Sequence, residues 1–240
     1  RPIDRGILFA RNPCTVLNHL LLAGRDLLIQ PCCPLCRTSV PAAEATQACR
    51  HCRLHLALPQ AGLQGHTPLR WTALGLYSGS FRQQLLNLRR HPDERRLNGL
   101  THLLKAICDL TPSTWLVPIP SWKQHAGNPL PALIAKGLGR PLGPWLYRRC
   151  ASIGQHHLNR QQRLVNLRGA FRARPPAVHN GHRPSLWLVD DILTTGGTAL
   201  AARDALIRAG HHVNGLICLA RTAQPGCDLR SSSRPGDTPG

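Results

Sequence analysis

"LWLVDDILTTGGTA" occupies positions 186–199, and its reading decides the fold. The run Leu186–Val189 has no polar residue, so it predicts a strand buried on both faces, as in a parallel sheet covered by helices. Directly after it stand Asp190 and Asp191, two of only 11 acidic residues among 240. "ILTTGGT" then turns into a helix, "GTALAARDALIRAG", with Gly210 as its C-terminal stop. In an open α/β sheet, ligands collect outside the carboxyl ends of the strands. Carboxylates there suit sugar hydroxyls or a hydrated Mg²⁺. Glycines let the backbone come close, and N–H groups at a helix start favour an anion. A sugar phosphate carries both kinds of group. An acidic pair acting only as a helix cap is the structural alternative, and the full strand–DD–TTGGT–helix order argues against it.

Outward from this stretch, strand and helix alternate. "TWLVPIP" (114–120) predicts a buried strand ending in a proline-bounded loop, and "PLPALIAKGL" a helix with prolines in its first turn. "HVNGLICLA" (212–220) is another buried strand, and Trp71–Tyr77 a short one. "DERRLNGLTHLLKAICDL" sets Leu97, Leu100, Leu103, Leu104 and Ile107 on one helical face. The expected fold class is α/β, a doubly wound parallel sheet.

Four of the 10 cysteines form two knuckles, "CPLC" (Cys33, Cys36) and "CRHC" (Cys49, Cys52), separated by 12 mostly small or polar residues. Paired CxxC knuckles predict a closed tetrahedral thiolate site for structural Zn²⁺, with no position left for a catalytic water. Cys32 could take the place of Cys33 in register, and His51 and His55 are expected at the surface rather than as ligands.

Net charge is +19, from 30 basic and 11 acidic residues, and only Lys105, Lys123 and Lys136 among the basic ones are lysines. A GC-rich genome accounts for much of the preference for arginine over lysine, but not for the scarcity of acids. A phosphate-rich partner is therefore expected. Arg37, Arg50, Arg53, Arg82, Arg89, Arg90, Arg95 and Arg96 suit a nucleic-acid backbone, with Trp71, Tyr77 and Phe81 between them as candidate stacking groups. "HLLLAGRDLLI" is broken by Arg25 and Asp26, so it reads as neither a signal peptide nor a membrane span. A cytoplasmic location is expected.

The 186–198 stretch resembles the ribose-phosphate signature of type I phosphoribosyltransferases. The wider chain, over roughly 31–222, resembles the competence protein F family (ComF, GntX-like). There a zinc-knuckle module precedes a phosphoribosyltransferase domain. "QHHLNRQQRLVNLRGAFRA" (155–173) is similar to the family's segment before the signature, and "LVPIPSW" to its proline-rich strand end. The resemblance implies a zinc module at 31–58 and a phosphoribosyltransferase-like domain at 63–222 with its core at 112–222; the residues themselves suggest a helical segment at 1–30 and, from its Ser, Gly and Pro content, a disordered tail at 223–240.

It also implies binding of 5-phosphoribosyl-1-pyrophosphate with Mg²⁺. Asp190 and Asp191 would hold the ribose hydroxyls, and Thr194, Thr195, Gly196, Gly197 and Thr198 the 5′-phosphate. Ser121, Gly127 and Asn128 would belong to the pyrophosphate loop, and Arg160, Arg163 and Arg168 would face departing pyrophosphate from a lid. Arg163, Asp190 and Asp191 are the catalytic candidates. Thr194 stands where purine-salvage members often carry an acid that serves as general base, and "WKQHAGNPLP" keeps only Gly127 and Asn128 of the family's "RxRGFNQ". Two classes stay open. One is a phosphoribosyltransferase, for an unknown acceptor or in nucleotide metabolism. The other is a non-catalytic competence factor that binds single-stranded DNA, works with the uptake machinery at the inner face of the membrane, and keeps the fold as a ligand-binding module.

Overall fold

A computed structural model describes residues 30–121, 127–148, 169–176 and 184–223. Its central sheet has six strands, in the order β1-β2-β8-β6-β3 with β7 beside β8. These are β1 Leu63–Gly65, β2 Trp71–Leu76, β3 Thr114–Pro118, β6 Ser185–Val189, β7 Ile192–Leu193 and β8 His212–Arg221. Every pairing is parallel except β1 with β2. The class is thus mixed α/β with a mostly parallel sheet, as the apolar runs predicted, plus an antiparallel edge that they did not announce.

Alternation along each strand builds two cores, because successive side chains leave a strand on opposite faces. Trp187 and Val189 of β6, with Ile217 and Leu219 of β8, face one side. Leu186 and Leu188, with Leu216 and Cys218, face the other. The first core is closed by three helices: α2 (Gly79–Arg90) through Phe81, Leu85 and Leu88, α3 (Glu94–Ile107) through Leu97, Leu100 and Leu104, and α4 (Leu130–Leu138) through Leu130, Ile134 and Leu138. The second is closed by α5 (Gly197–Arg208) through Ala199, Ala202, Ala205 and Leu206. A two-stranded ribbon, β4 (Leu146–Arg148) with β5 (Phe171–Ala173), brings Phe171 into that same core. α3 starts where Asp93 accepts from the Arg96 N–H at 3.1 Å, and α4 stops at Gly139 with φ 67°.

The cysteine knuckles lie on the first core rather than apart from it. Cys33, Ala48, Cys49, Cys52 and Leu56 are buried in one cluster with the α2–α4 leucines. Gly99 of α3 sits so close beneath them that a Cβ there would lie 2.4 Å from Pro34 Cγ. Trp71 and Phe81 are each only 1% exposed, so these two expected base-stacking groups are core residues. The expected N-terminal helical segment (1–30), the tail from 224 onward, and Arg160, Arg163 and Arg168 lie outside the described residues, Gln30 apart.

Candidate functional site

Two sites take shape, one from thiols and one at the strand ends. In the first, Cys33–Cys36 closes a tight turn in which Arg37 takes a left-handed φ of 63° and its N–H donates to Cys33 O at 3.0 Å. The second knuckle opens a short helix, α1 (Arg50–His55), with Cys49 as its N-cap. The Sγ atoms of Cys33 and Cys52 are 3.8 Å apart, as are those of Cys36 and Cys49, and all four fall within 4.8 Å. A tetrahedral ion with Zn–S bonds of about 2.3 Å requires sulfurs about 3.8 Å apart, so the set fits Zn²⁺.

Main-chain N–H groups support the sulfurs. Leu35 and Cys49 donate to Cys33 Sγ, each at 3.4 Å, and Cys52 donates to Cys49 Sγ at 3.5 Å. Burial raises the Cys33 thiol, yet these amide donors outweigh it and hold the group below its usual range. The Thr38 hydroxyl brings Cys36 down to about 6, while burial pushes Cys49 and Cys52 up. Cys32 donates its own S–H to Gln30 O at 3.0 Å and stays outside the cluster, which settles the register in favour of Cys33. His51 and His55 stack on each other at 6.4 Å on the exposed side of α1 and are not part of the set.

The second site lies at the carboxyl end of β6. Asp190 N–H donates to Ile217 O at 3.0 Å, and Asp191 O accepts from the Leu219 and Ala220 N–H groups at 3.0 and 3.1 Å. The acidic pair is therefore locked to β8. Asp190 is half-buried, and its Oδ1 accepts from the Asp191 N–H at 2.9 Å. Burial, then the neighbouring Asp191 charge, pushes its carboxyl up to about 8.

Asp191 is only 1% exposed, and both of its oxygens are engaged. Arg89 Nε donates to Oδ2 at 2.5 Å and Arg89 Nη2 to Oδ1 at 2.8 Å, a bidentate fork. Asn128 Nδ2 adds a third bond, to Oδ2 at 2.8 Å. Burial alone would raise the Asp191 carboxyl, but the Arg89 fork and Asn128 outweigh it and hold it below the usual carboxylate range. Arg89 is held above its ordinary value chiefly by the same bonds.

The loop that follows is shaped from beneath. Arg221, 1% exposed and 5.5 Å over the Trp71 ring, donates through Nη1 to Leu193 O and Thr194 O. Thr194 and Thr195 are exposed, Gly197 and Thr198 half-buried. Gly196 is the N-cap of α5 with φ 83°, and a Cβ there would lie 2.1 Å from Pro68 Cγ, so no other residue fits. No side chain caps α5. Its first turn therefore leaves backbone N–H groups without a side-chain cap, six positions after Asp190 in the chain, and such N–H groups suit an anion.

The structure thus brings Asn128 and Arg89 onto Asp191, whose N–H bonds Asp190, and the 194–198 loop follows a few residues on in the chain. Ser121 and Gly127 are half-buried on the described flanks of the loop after β3, whose middle, 122–126, is not described. Arg89 was legible only as one cation among several. Nothing local ties it to a carboxylate 102 positions away.

No protein-family model matches the chain. The DNA utilization protein YhgH of Salmonella typhi is 36% identical over 94 residues, and that of Escherichia coli K12 is 35% identical over 94. In each case the match takes in 35% of this chain and spans 40% of the relative's length. Among solved structures, orotate phosphoribosyltransferase from Aeropyrum pernix is 20% identical, with 54% of this chain and 61% of that one covered, at a TM-score of 0.33. Adenine phosphoribosyltransferase from Leishmania donovani is 13% identical, with 71% and 93% covered, at 0.38. At those scores the likeness carries no argument about function, and the fold class follows from the strand order itself. No helix among the described residues is long and apolar enough to cross a membrane.

Proposed function

We propose that this chain binds 5-phosphoribosyl-1-pyrophosphate at the end of β6 and serves the handling of incoming single-stranded DNA. The observation that carries the ligand is a half-buried acid, Asp190, at the end of β6, followed six positions on by the uncapped start of α5. A hydroxyl donor and a phosphate are recognised side by side, as a ribose phosphate requires. In this reading Asp190 accepts from the sugar hydroxyls, and Thr194, Thr195 and the backbone of 196–198 hold the 5′-phosphate. Mg²⁺ bound with the pyrophosphate would supply charge neutralisation there. Transfer of the phosphoribosyl group to an acceptor would release pyrophosphate, and Arg163 is the proposed contact to it as it leaves.

Calorimetric titration with 5-phosphoribosyl-1-pyrophosphate and Mg²⁺ tests the ligand. Saturable binding is expected, weakened about tenfold or more in Asp190→Asn, the worth of one or two hydrogen bonds to a charged acceptor. The carboxyl titrates near 8, so below that pH it carries a proton that it must lose to accept two hydroxyls. Affinity should climb with pH towards 8, by at most about tenfold per unit, and level off above. A flat profile from pH 6 to 9, or no heat at all, would sink the assignment.

The DNA role is supported by the name the relatives carry and by the +19 charge. Arg50, His51 and His55 are exposed on α1, with Arg53 half-buried among them and Arg82 and Arg90 exposed on α2. Binding of a single-stranded oligonucleotide should fall steeply with salt, with a log–log slope of roughly −0.7 per phosphate contacted. Replacing Arg50 and Arg53 by alanine should reduce that slope by about one to two, without changing preference between sequences. Salt-independent binding would count against this surface.

A further inference from the structure

The acid pair is not symmetric. Asp190 is half-buried and, among the described residues, accepts only from the N–H of its chain neighbour Asp191, while Asp191 is sealed and accepts three bonds from Arg89 and Asn128. A buried carboxylate with both oxygens so engaged has little capacity left for a sugar hydroxyl. Its partner is oppositely placed: the Arg89 side chain is 37% exposed. A guanidinium has five N–H groups in one plane, and a fork through Nε and Nη2 uses one edge of it. The remaining N–H groups, Nη1 included, point away from Asp191. Asn128 converges with Arg89 Nε on the same oxygen, so the loop after β3 and the last turn of α2 meet at this point. Among the described residues no second carboxylate pairs with Arg89.

We propose that Arg89 is a ligand-binding residue of this site: Asp191 serves as its anchor, and the outward edge of the guanidinium takes an anionic oxygen of the ligand's pyrophosphate. This deepens the reading above and divides the labour of the acid pair. Asp190 meets the sugar, and Asp191 meets the cation that meets the leaving group. The arrangement holds a flexible side chain in one pose before the ligand arrives, which lowers the entropic cost of binding. Arg89 thereby gains a role that a free surface arginine, expected only to follow a nucleic-acid backbone, would lack.

The probe is inorganic pyrophosphate, titrated calorimetrically into the full chain and into Arg89→Gln, Arg89→Lys and, as control, Arg208→Gln, with melting temperatures recorded for each. Arg89→Gln should weaken pyrophosphate by about 10- to 100-fold, the worth of a charge-assisted contact. Arg89→Lys should restore part of that affinity. Arg208→Gln, which removes an exposed arginine at the far end of α5, should leave it unchanged. Loss of melting temperature in Arg89→Gln with pyrophosphate affinity intact would overturn the proposal and leave Arg89 a structural partner of Asp191. So would absence of pyrophosphate binding to the unaltered chain. Arg89-dependent pyrophosphate binding without any binding of the phosphoribosyl ligand would uphold Arg89 and overturn the ribose-phosphate reading instead.

Discussion

Cys52→Ser is expected to abolish metal binding and unfold the helical side of the molecule in the same step. Cys52 is 7% exposed and belongs to the cluster that includes Leu97, Leu100 and Leu104. Four sulfurs within 4.8 Å, deprotonated as metal ligands must be, would repel one another without a cation between them. Structural zinc sites of this kind carry an apparent free energy of about 10–16 kcal/mol in isolated modules, as large as the whole stability of an ordinary domain. Burial raises Cys49 and Cys52, so loading must expel their protons, and metal affinity should weaken as pH falls.

The measurement is zinc release to a chromogenic chelator, followed beside the melting curve. One equivalent of metal in the unaltered chain and none in Cys52→Ser, with a collapsed or broadened transition, is the expected result. A chelator-treated chain that melts unchanged would show that the knuckles do not depend on metal. Cys32→Ser serves as control and should change neither quantity, because its sulfur bonds only to Gln30 O.

The adjacent aspartates should respond to amide substitution with opposite signs in stability. Asp191→Asn removes the charge that balances Arg89 and turns one acceptor oxygen into a donor facing Arg89 or Asn128. Breaking a buried pair in this way costs about 3–5 kcal/mol when both groups are sealed. With Arg89 more than a third exposed and able to find water, about 2–3 kcal/mol is expected here. Asp190→Asn should instead stabilise. Its carboxyl is raised in the folded chain to about 8, well above the ordinary carboxylate value of about 4 it has when unfolded.

The folded state therefore holds a proton that the unfolded state releases between those two values. Stability drains away as pH rises across that window, and the amide abolishes the loss. A gain of about 1–2 kcal/mol at pH 8, shrinking towards zero near pH 4, is the expected pattern. Asp191 runs the other way: its depressed carboxyl contributes stability above pH about 4 that is lost as pH falls. Denaturant unfolding of both variants at pH 5 and pH 8 decides the matter. Equal destabilisation by both would mean that the pair acts as one unit and that Asp190 is not held protonated.

Much of this was readable along the chain because it depends on local pattern. An apolar run of strand length, a glycine-rich turn and a helix with Gly210 after it announce β6, its loop and α5 without any knowledge of neighbours. CxxC spacing likewise announces a metal site, since two residues between thiols is what one knuckle spans. The antiparallel β1 and the β4–β5 ribbon went unseen. Three-residue strands carry too short an alternation to stand out, and they exist because a partner strand completes their hydrogen bonds.

What the sequence determined by itself was therefore the fold class, the clustering cysteines Cys33, Cys36, Cys49 and Cys52 apart from the Cys32 register, and the location of a polar loop after a buried strand. Each is a matter of period and spacing within a few dozen residues. Tertiary structure decided everything that depends on which distant groups share a space. It buried Trp71 and Phe81, which composition offered as base-stacking surfaces, and it packed the knuckles onto α3 through Pro34 and Gly99. It also made two neighbouring, chemically identical aspartates unlike. Carboxylate behaviour depends on burial and on the nearest charge, and the charge beside Asp191 comes from Arg89, which only the packing of α2 brings within 2.5 Å.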